Sequence, residues 1–238
     1  LVAKLAAQLA GGDGWATQAA APTSKPLYSL TINAGEGGTV SGAGTFEHGT
    51  QKAISATASA GYRFSAWTGD DVSDSSLSNT TVLMDRNRSI TATFAQNSYA
   101  LVVSGDSGGS ASGGGNFSHG ELAPIEAIPL EGYFFTAWSG RGITNSSAPI
   151  TTVLMDQNRS VAASFSQIPY SLLVSSGDGG SASGGGVFSH GEFAPIEAVP
   201  VEGYVFTGWS GLGVTHSNAP ITTVLMDQNR SVTSTFSQ

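Results

Sequence analysis

The chain has 238 residues, nine Lys and Arg against 17 Asp and Glu, a net charge of −8, and no cysteine. Disulfides and thiolate metal sites are excluded, and without a basic stripe so is recognition of a phosphate backbone or an anionic membrane surface. Charged residues are only 11%, yet 39% are apolar, so this is a folding chain rather than a disordered polar tract.

Residues 1–10 (LVAKLAAQLA) place Leu1, Leu5 and Leu9 at i, i+4, i+8, on one helical face, and Gly11-Gly12 stops the run. Ten residues are too few for an isolated helix. The segment reads as a frayed leader or as a short helical or extended arm that docks on a neighbouring module or chain. Its candidate contacts are Leu1, Leu5, Leu9 and Trp15, and residues 16–26 follow as a linker of small residues and two prolines. The chain starts at Leu1 with every Met farther along, as expected of a cleaved signal peptide or a fragment boundary. No apolar run approaches the roughly 20 residues needed to span a bilayer.

From Tyr28 onward one period governs the chain. Tyr28, Tyr99 and Tyr170 are 71 residues apart, as are His48, His119 and His190, then Trp67, Trp138 and Trp209, then Met84, Met155 and Met226. The organisation is an arm and linker (1–27) and three modules (28–97, 98–168 and 169–238). The first module reads strand by strand. Tyr28–Asn33 alternates apolar and polar; Gly35, Gly37 and Gly38 turn the chain; Thr39–Ser41 is a short strand ending at Gly42 and Gly44. A strand through Ile54, Ala56 and Ala58 follows, then Tyr62–Trp67, a polar loop over 70–78, and Thr80–Met84. Asp85-Arg86-Asn87-Arg88 makes a tight turn into Ser89–Phe94. The pattern predicts about six short strands per module and little helix.

Modules two and three are identical at 51 of 69 positions, and their exchanges Ile128/Val199, Leu130/Val201 and Ile143/Val214 read as core substitutions. An aromatic set returns in register: Tyr62, Phe64, Trp67 and Phe94, then Tyr133, Phe135, Trp138 and Phe165, then Tyr204, Phe206, Trp209 and Phe236. That is what one small core per module requires. Only four residues separate Phe94 from Tyr99, and four separate Phe165 from Tyr170, with Pro169 stiffening the second junction. Modules roughly 30 Å across, so joined, predict a rod-like array on the order of 90 Å.

No pattern of chemistry emerges. Ser, His and Glu stand side by side in FSHGE (117–121 and 188–192), but neighbours on a strand face opposite ways, whereas a hydrolytic triad must converge. The three repeated histidines read as turn-side, solvent-facing groups. The glycine runs at 108–115 and 179–186 lack the lysine and the following helix of a phosphate cradle. Asp156 and Asn158 offer two oxygens in a turn, short of the six to eight that calcium takes. Exposed, the tryptophans would stack on sugars; beside Tyr and Phe on one strand they read as core. We expect no enzyme, no cofactor and no metal.

The run GYRFSAWTGD with TTVLMDRNRSITATF, repeated as GYFFTAWSG with TTVLMDQNRSVAASF and GYVFTGWSG with TTVLMDQNRSVTSTF, is preceded by YSLTINAGEGGTVSGAGTF. Together these segments resemble the divergent InlB B-repeat family of bacterial surface and secreted proteins, over residues 28–238. The resemblance implies a mainly β fold of three tandem, small, β-grasp-like modules, an extracellular location, and a role as spacer or adhesive stalk; it carries no catalytic motif and says nothing of residues 1–27. The expectation is a non-catalytic structural repeat protein of the bacterial surface, a stalk, spacer or fibre subunit. It would self-associate head-to-tail through its arm or join neighbouring domains of a larger surface protein. The alternatives are a multivalent module for glycans or host proteins, and an accessory region of a larger secreted enzyme.

Overall fold

The computed structural model describes residues 24–238. The arm residues Leu1, Leu5, Leu9 and Trp15 lie outside the described residues. The described chain divides into two compact units, the first ending at Ala95 and the second spanning Gln96–Gln238. Module 1 falls in the first, modules 2 and 3 in the second.

Each module is built from seven strands and no helix. In module 1 these are β1 (Leu27–Ala34), β2 (Gly38–Ser41), β3 (Gly44–Glu47), β4 (Thr50–Ala58), β5 (Tyr62–Gly69), β6 (Asn79–Met84) and β7 (Arg88–Gln96). The pattern repeats in module 2 as β8 (Ser98–Gly105), β9 (Gly109–Ser112), β10 (Gly115–Ser118), β11 (Glu121–Pro129), β12 (Tyr133–Gly140), β13 (Ile150–Met155) and β14 (Arg159–Gln167). Module 3 has β15 (Pro169–Ser176), β16 (Gly180–Ser183), β17 (Gly186–Ser189), β18 (Glu192–Pro200), β19 (Val205–Ser210), β20 (Ile221–Met226) and β21 (Arg230–Ser237). The strand missing from the sequence reading is β3 with its copies. Its glycine start and four-residue length gave no alternation long enough to register.

Two sheets face each other in every module. The first has the order β3-β1-β7-β5, and the second β2-β4-β6. Within the first, β1 and β7 run parallel, with Leu30 beside Arg88 and Ala34 beside Ala92, and β1 pairs antiparallel with β3. A mixed four-stranded sheet with its first and last strands parallel in the middle is the sheet of a β-grasp. The helix that such a fold lays across the sheet is here replaced by the three-stranded sheet.

The core between the sheets is chiefly aliphatic at its centre. Val82, Met84 and Ile90 are completely buried in module 1, and Val153, Met155, Val224 and Met226 likewise in the others. The tryptophans close one side of it at 3%, 4% and 6% exposure. Phe64 and Phe94 are half-buried against this centre, as are their copies Phe135, Phe206 and Phe236, while Phe165 is buried. Tyr133 packs on the module 2 core; Tyr62 and Tyr204 are half-buried at the rim, where each ring covers a glycine, Gly37 or Gly179. The adjoining Gly38, Gly109 and Gly180 lie flat under Phe94, Phe165 and Phe236; a Cβ on Gly109 would come within 2.5 Å of the Phe165 ring. The Gly-Gly pairs are the floor on which these rings rest.

Phe and Trp in GYxFxxW are three residues apart, so a regular strand would turn them to opposite faces. A β-bulge between Phe135 and Ala137, and again between Phe206 and Gly208, absorbs one residue and brings both rings inward. In module 2 the Phe135 and Trp138 rings lie 5.9 Å apart.

The substitutions Ile128/Val199 and Leu130/Val201 do not lie in the core. Ile128 and Val199 are 52% and 50% exposed, on the outer face of the three-stranded sheet, and Leu130 and Val201 follow them into the next turn. The inward residues of β11 are Ala123, Ile125 and Ala127. Only Ile143 and Val214 of those exchanges pack on the core.

One core position is mismatched. Ser234 is fully buried with its hydroxyl unpartnered, where modules 1 and 2 have Ala92 and Ala163. An unpaired buried hydroxyl costs about 1–3 kcal/mol. Ser234→Ala is therefore expected to stabilise module 3 by about 1–2 kcal/mol, read as a higher denaturation midpoint of that module's transition; a lower midpoint would refute it.

Candidate functional site

The polar residues that repeat most regularly form the turn Asp-x-Asn-Arg after β6, β13 and β20. Arg88 donates from Nε to Leu83 O at 2.9 Å, from Nη1 to Asp71 O at 3.2 Å and from Nη2 to Asp85 Oδ1 at 3.0 Å. Arg159 repeats this with Leu154 O at 2.7 Å and Asp156 Oδ1 at 2.6 Å, and Arg230 does so with Leu225 O and Asp227. All three guanidinium side chains are nearly buried, at 5% to 8% exposure. The intervening asparagine reaches the other way: Asn87, Asn158 and Asn229 accept from the backbone N–H of Ser29, Ala100 and Ser171 at 2.8–2.9 Å. This turn clamps the end of the three-stranded sheet to the parallel pair of the other. The oxygens weighed above for calcium are already engaged, Asp156 with Arg159 and Asn158 with Ala100.

The loop between β5 and β6 closes the side of the sandwich. The indole N–H of Trp67, Trp138 and Trp209 donates to Leu77 O, Ala148 O and Ala219 O at 3.0–3.1 Å. The backbone N–H of each tryptophan bonds the same loop, at Ser75, Ser146 and Ser217. On its other side the loop is zipped to the edge of β6 and its copies: Ser73 to Thr81, Thr144 to Thr152 and Thr215 to Thr223, by backbone and hydroxyl alike. Both sheet edges on that side are thus covered, and those opposite, β2 and β3, are four residues long. Short or covered edges do not recruit stray strands. In module 1 the loop starts at Asp70, whose carboxylate accepts from Ser89 N at 2.7 Å and pairs with Arg86 at 3.3 Å. The Ser89 N–H, chiefly, lowers the Asp70 pKa, with Arg86 assisting. Asp74 is lowered by the hydroxyl and N–H of Ser76.

The histidines differ from the solvent-facing groups expected. His48 is exposed, but His119 and His190 are half-buried with an unpartnered buried Nδ1, each ring set against Tyr99 or Tyr170 at 6.0 Å. His190 also packs on Gly132 of module 2; a Cβ there would collide with the imidazole. Only Ile168 separates β14 from β15. Its N–H donates to Gly132 O at 2.8 Å, and its carbonyl accepts from His190 N at 3.0 Å. Modules 2 and 3 are therefore joined by hydrogen bonds on both sides of a single linker residue. The signal for this joint was the fixed register of His and of Glu-Gly-Tyr, which composition alone attributes to turns.

Among the described residues, no three His, Cys, Asp or Glu side chains gather as metal ligands do. Nor is any helix there long and apolar enough to cross a membrane.

The model of the divergent InlB B-repeat domain matches residues 28–98, 99–169 and 170–238. The chain belongs to the divergent InlB B-repeat family. Members of this family are typically associated with bacterial surfaces. The three matched copies coincide with the three seven-strand modules, and tandem modules of this family point to an extracellular repeat protein. No curated protein matches the chain. Among solved structures it is similar to the Bacillus anthracis TIE protein, at 11% identity and a TM-score of 0.33, over 88% of this chain and 50% of that one. The chain thus spans about half the length of that protein.

Proposed function

We propose that the three modules are a non-catalytic spacer of a bacterial surface protein, and that the chain assembles head-to-tail through residues 1–27. The joint between modules 2 and 3 supports the first part. A spacer must pass its geometry from one unit to the next. A single linker residue bonded to both neighbours, with His190 seated on Gly132, leaves little freedom for one module to swing against the other. The buried indoles do not offer the exposed row of rings that a sugar-binding strip would use. Non-closing contacts between copies give filaments, and the apolar arm supplies the element for such a contact.

The absence of cysteine makes the joint directly measurable. Spin labels on Asn116→Cys and Asn218→Cys report the distance between modules 2 and 3. A single narrow distribution is expected; a broad or multimodal one would remove the spacer reading. Electron microscopy of the chain without residues 1–26 tests assembly, and filaments that persist in that deletion would take the arm out of it.

A further inference from the structure

The outer face of the three-stranded sheet changes character between modules. In module 1 it is mostly polar: Gln51, Ser55, Thr57 and Asn79 point outward, Leu83 opposite Gln51 is the large apolar exception, and the hydroxyls of Ser41 and Ser55 bond each other at 2.7 Å. In module 2 the same positions hold Leu122, Glu126, Ile128 and Ile150, with Leu122 directly opposite Leu154 and Glu126 opposite Ile150. Module 3 repeats this with Phe193, Glu197, Val199 and Ile221. These are large apolar side chains in water: Leu122 is 55% exposed, Ile150 66%, Phe193 57% and Ile221 68%. Single exposed apolar residues are ordinary, but a run along one strand, repeated in two modules and absent from the third, marks an interaction surface. The outer face of the four-stranded sheet also has exposed apolar side chains, Val102 and Phe134 in module 2 and Leu173, Val187 and Val205 in module 3, but they stand singly on separate strands, and β14 and β21 present Ser, Thr and Ala there.

The carboxylate within each strip selects the occupant. Two copies packed strip on strip would bury Glu against apolar side chains or another Glu, a cost that contact area does not recover. The fitting partner is an apolar segment with one cation. Residues 1–10 are that segment: eight of the ten are Leu, Val or Ala, and Lys4 is the only charged side chain. Thirteen further residues separate them from Ser24, a reach of up to about 45 Å when extended. The module to which this arm is tethered is the one whose sheet is mostly polar, so the arm has no acceptor strip on its own first module.

We propose that residues 1–10 of one copy dock on the Glu-centred apolar strips of modules 2 and 3 of a neighbouring copy, with Lys4 paired to Glu126 or Glu197. This rests on the assembly reading above and names its acceptor.

Sedimentation velocity of the full chain over a range of concentrations tests it. The decisive variant combines Leu122→Gln, Ile150→Asn, Phe193→Gln and Ile221→Asn. Module 1 already carries those residues at the equivalent positions of the same fold, as Gln51 and Asn79, so folding is retained; an unchanged thermal transition checks this. Concentration-dependent association of the full chain is expected, weakened at least about tenfold by the four substitutions. Lys4→Glu weakens it too, and adding Glu126→Lys with Glu197→Lys restores it, which a merely apolar contact would not do. Association that survives the four substitutions but disappears on removing residues 1–23 overturns the strip assignment and leaves arm-mediated assembly standing. A monomer at every concentration, or association indifferent to both changes, overturns both.

Discussion

Trp138→Ala is expected to unfold module 2 under conditions where the other modules stay folded. The indole is 4% exposed, packs on Phe135 and donates to Ala148 O at 3.1 Å. Replacing a buried Trp by Ala costs about 3–5 kcal/mol through lost transfer energy and the cavity left behind. The released Ala148 carbonyl adds to that, because the loop holding it caps both sheet edges. A 71-residue module holds about 4–10 kcal/mol in all, so the substitution removes most of it. Limited proteolysis of the full chain should then cut within 98–168 first. Trp138→Phe, which keeps an aromatic ring and most of the apolar contact but not the N–H, should lose less than half as much. An alanine variant as resistant as the parent would show that the module does not depend on its indole.

Arg159→Met is expected to cost about 2–3 kcal/mol, although the site is a turn. Met keeps the apolar stem and discards the guanidinium. Leu154 O then loses its donor, and Asp156 loses its partner at the end of the strand. Asp156 is 44% exposed and stays hydrated, so most of the cost lies on the buried arginine side. Arg159→Lys should not rescue the loss, since an ammonium cannot bond the carbonyl and the carboxylate as a planar fork does. Asp156→Ala alone should be mild, below about 1 kcal/mol. Equilibrium denaturation of the three variants checks this order. Equal losses for Arg159→Met and Asp156→Ala would mean that the ion pair, not the arginine–backbone clamp, carries the turn.

The repeat was legible in the sequence for a physical reason. A 71-residue period is a statement about identity in register, and no packing context alters it. The Gly-Gly pairs read only as turns, and the fold shows that the repeating Tyr and Phe rings rest on them. The bulge in β12 was not read, although rings at spacing two and then three cannot share one face of a regular strand. The strip on β11 was not read correctly, yet its signal was present. Alternate positions in ELAPIEAIP are apolar on both parities, so the segment alone does not say which side faces inward. Module 1 resolves the ambiguity: its Ile54 and Ala56 are apolar where Ser55 and Thr57 are polar.

The sequence by itself determined the number of modules, the β class and the brevity of the linkers. All of these follow from local alternation, turn chemistry and repetition. Tertiary structure alone decided that β1 pairs in parallel with β7, 58 residues farther on, and that a second sheet stands where a β-grasp has its helix. It also decided that His190 belongs to a joint and that Ile128 faces water. Each depends on which surface meets which across the fold, and strand periodicity carries no information about the partner.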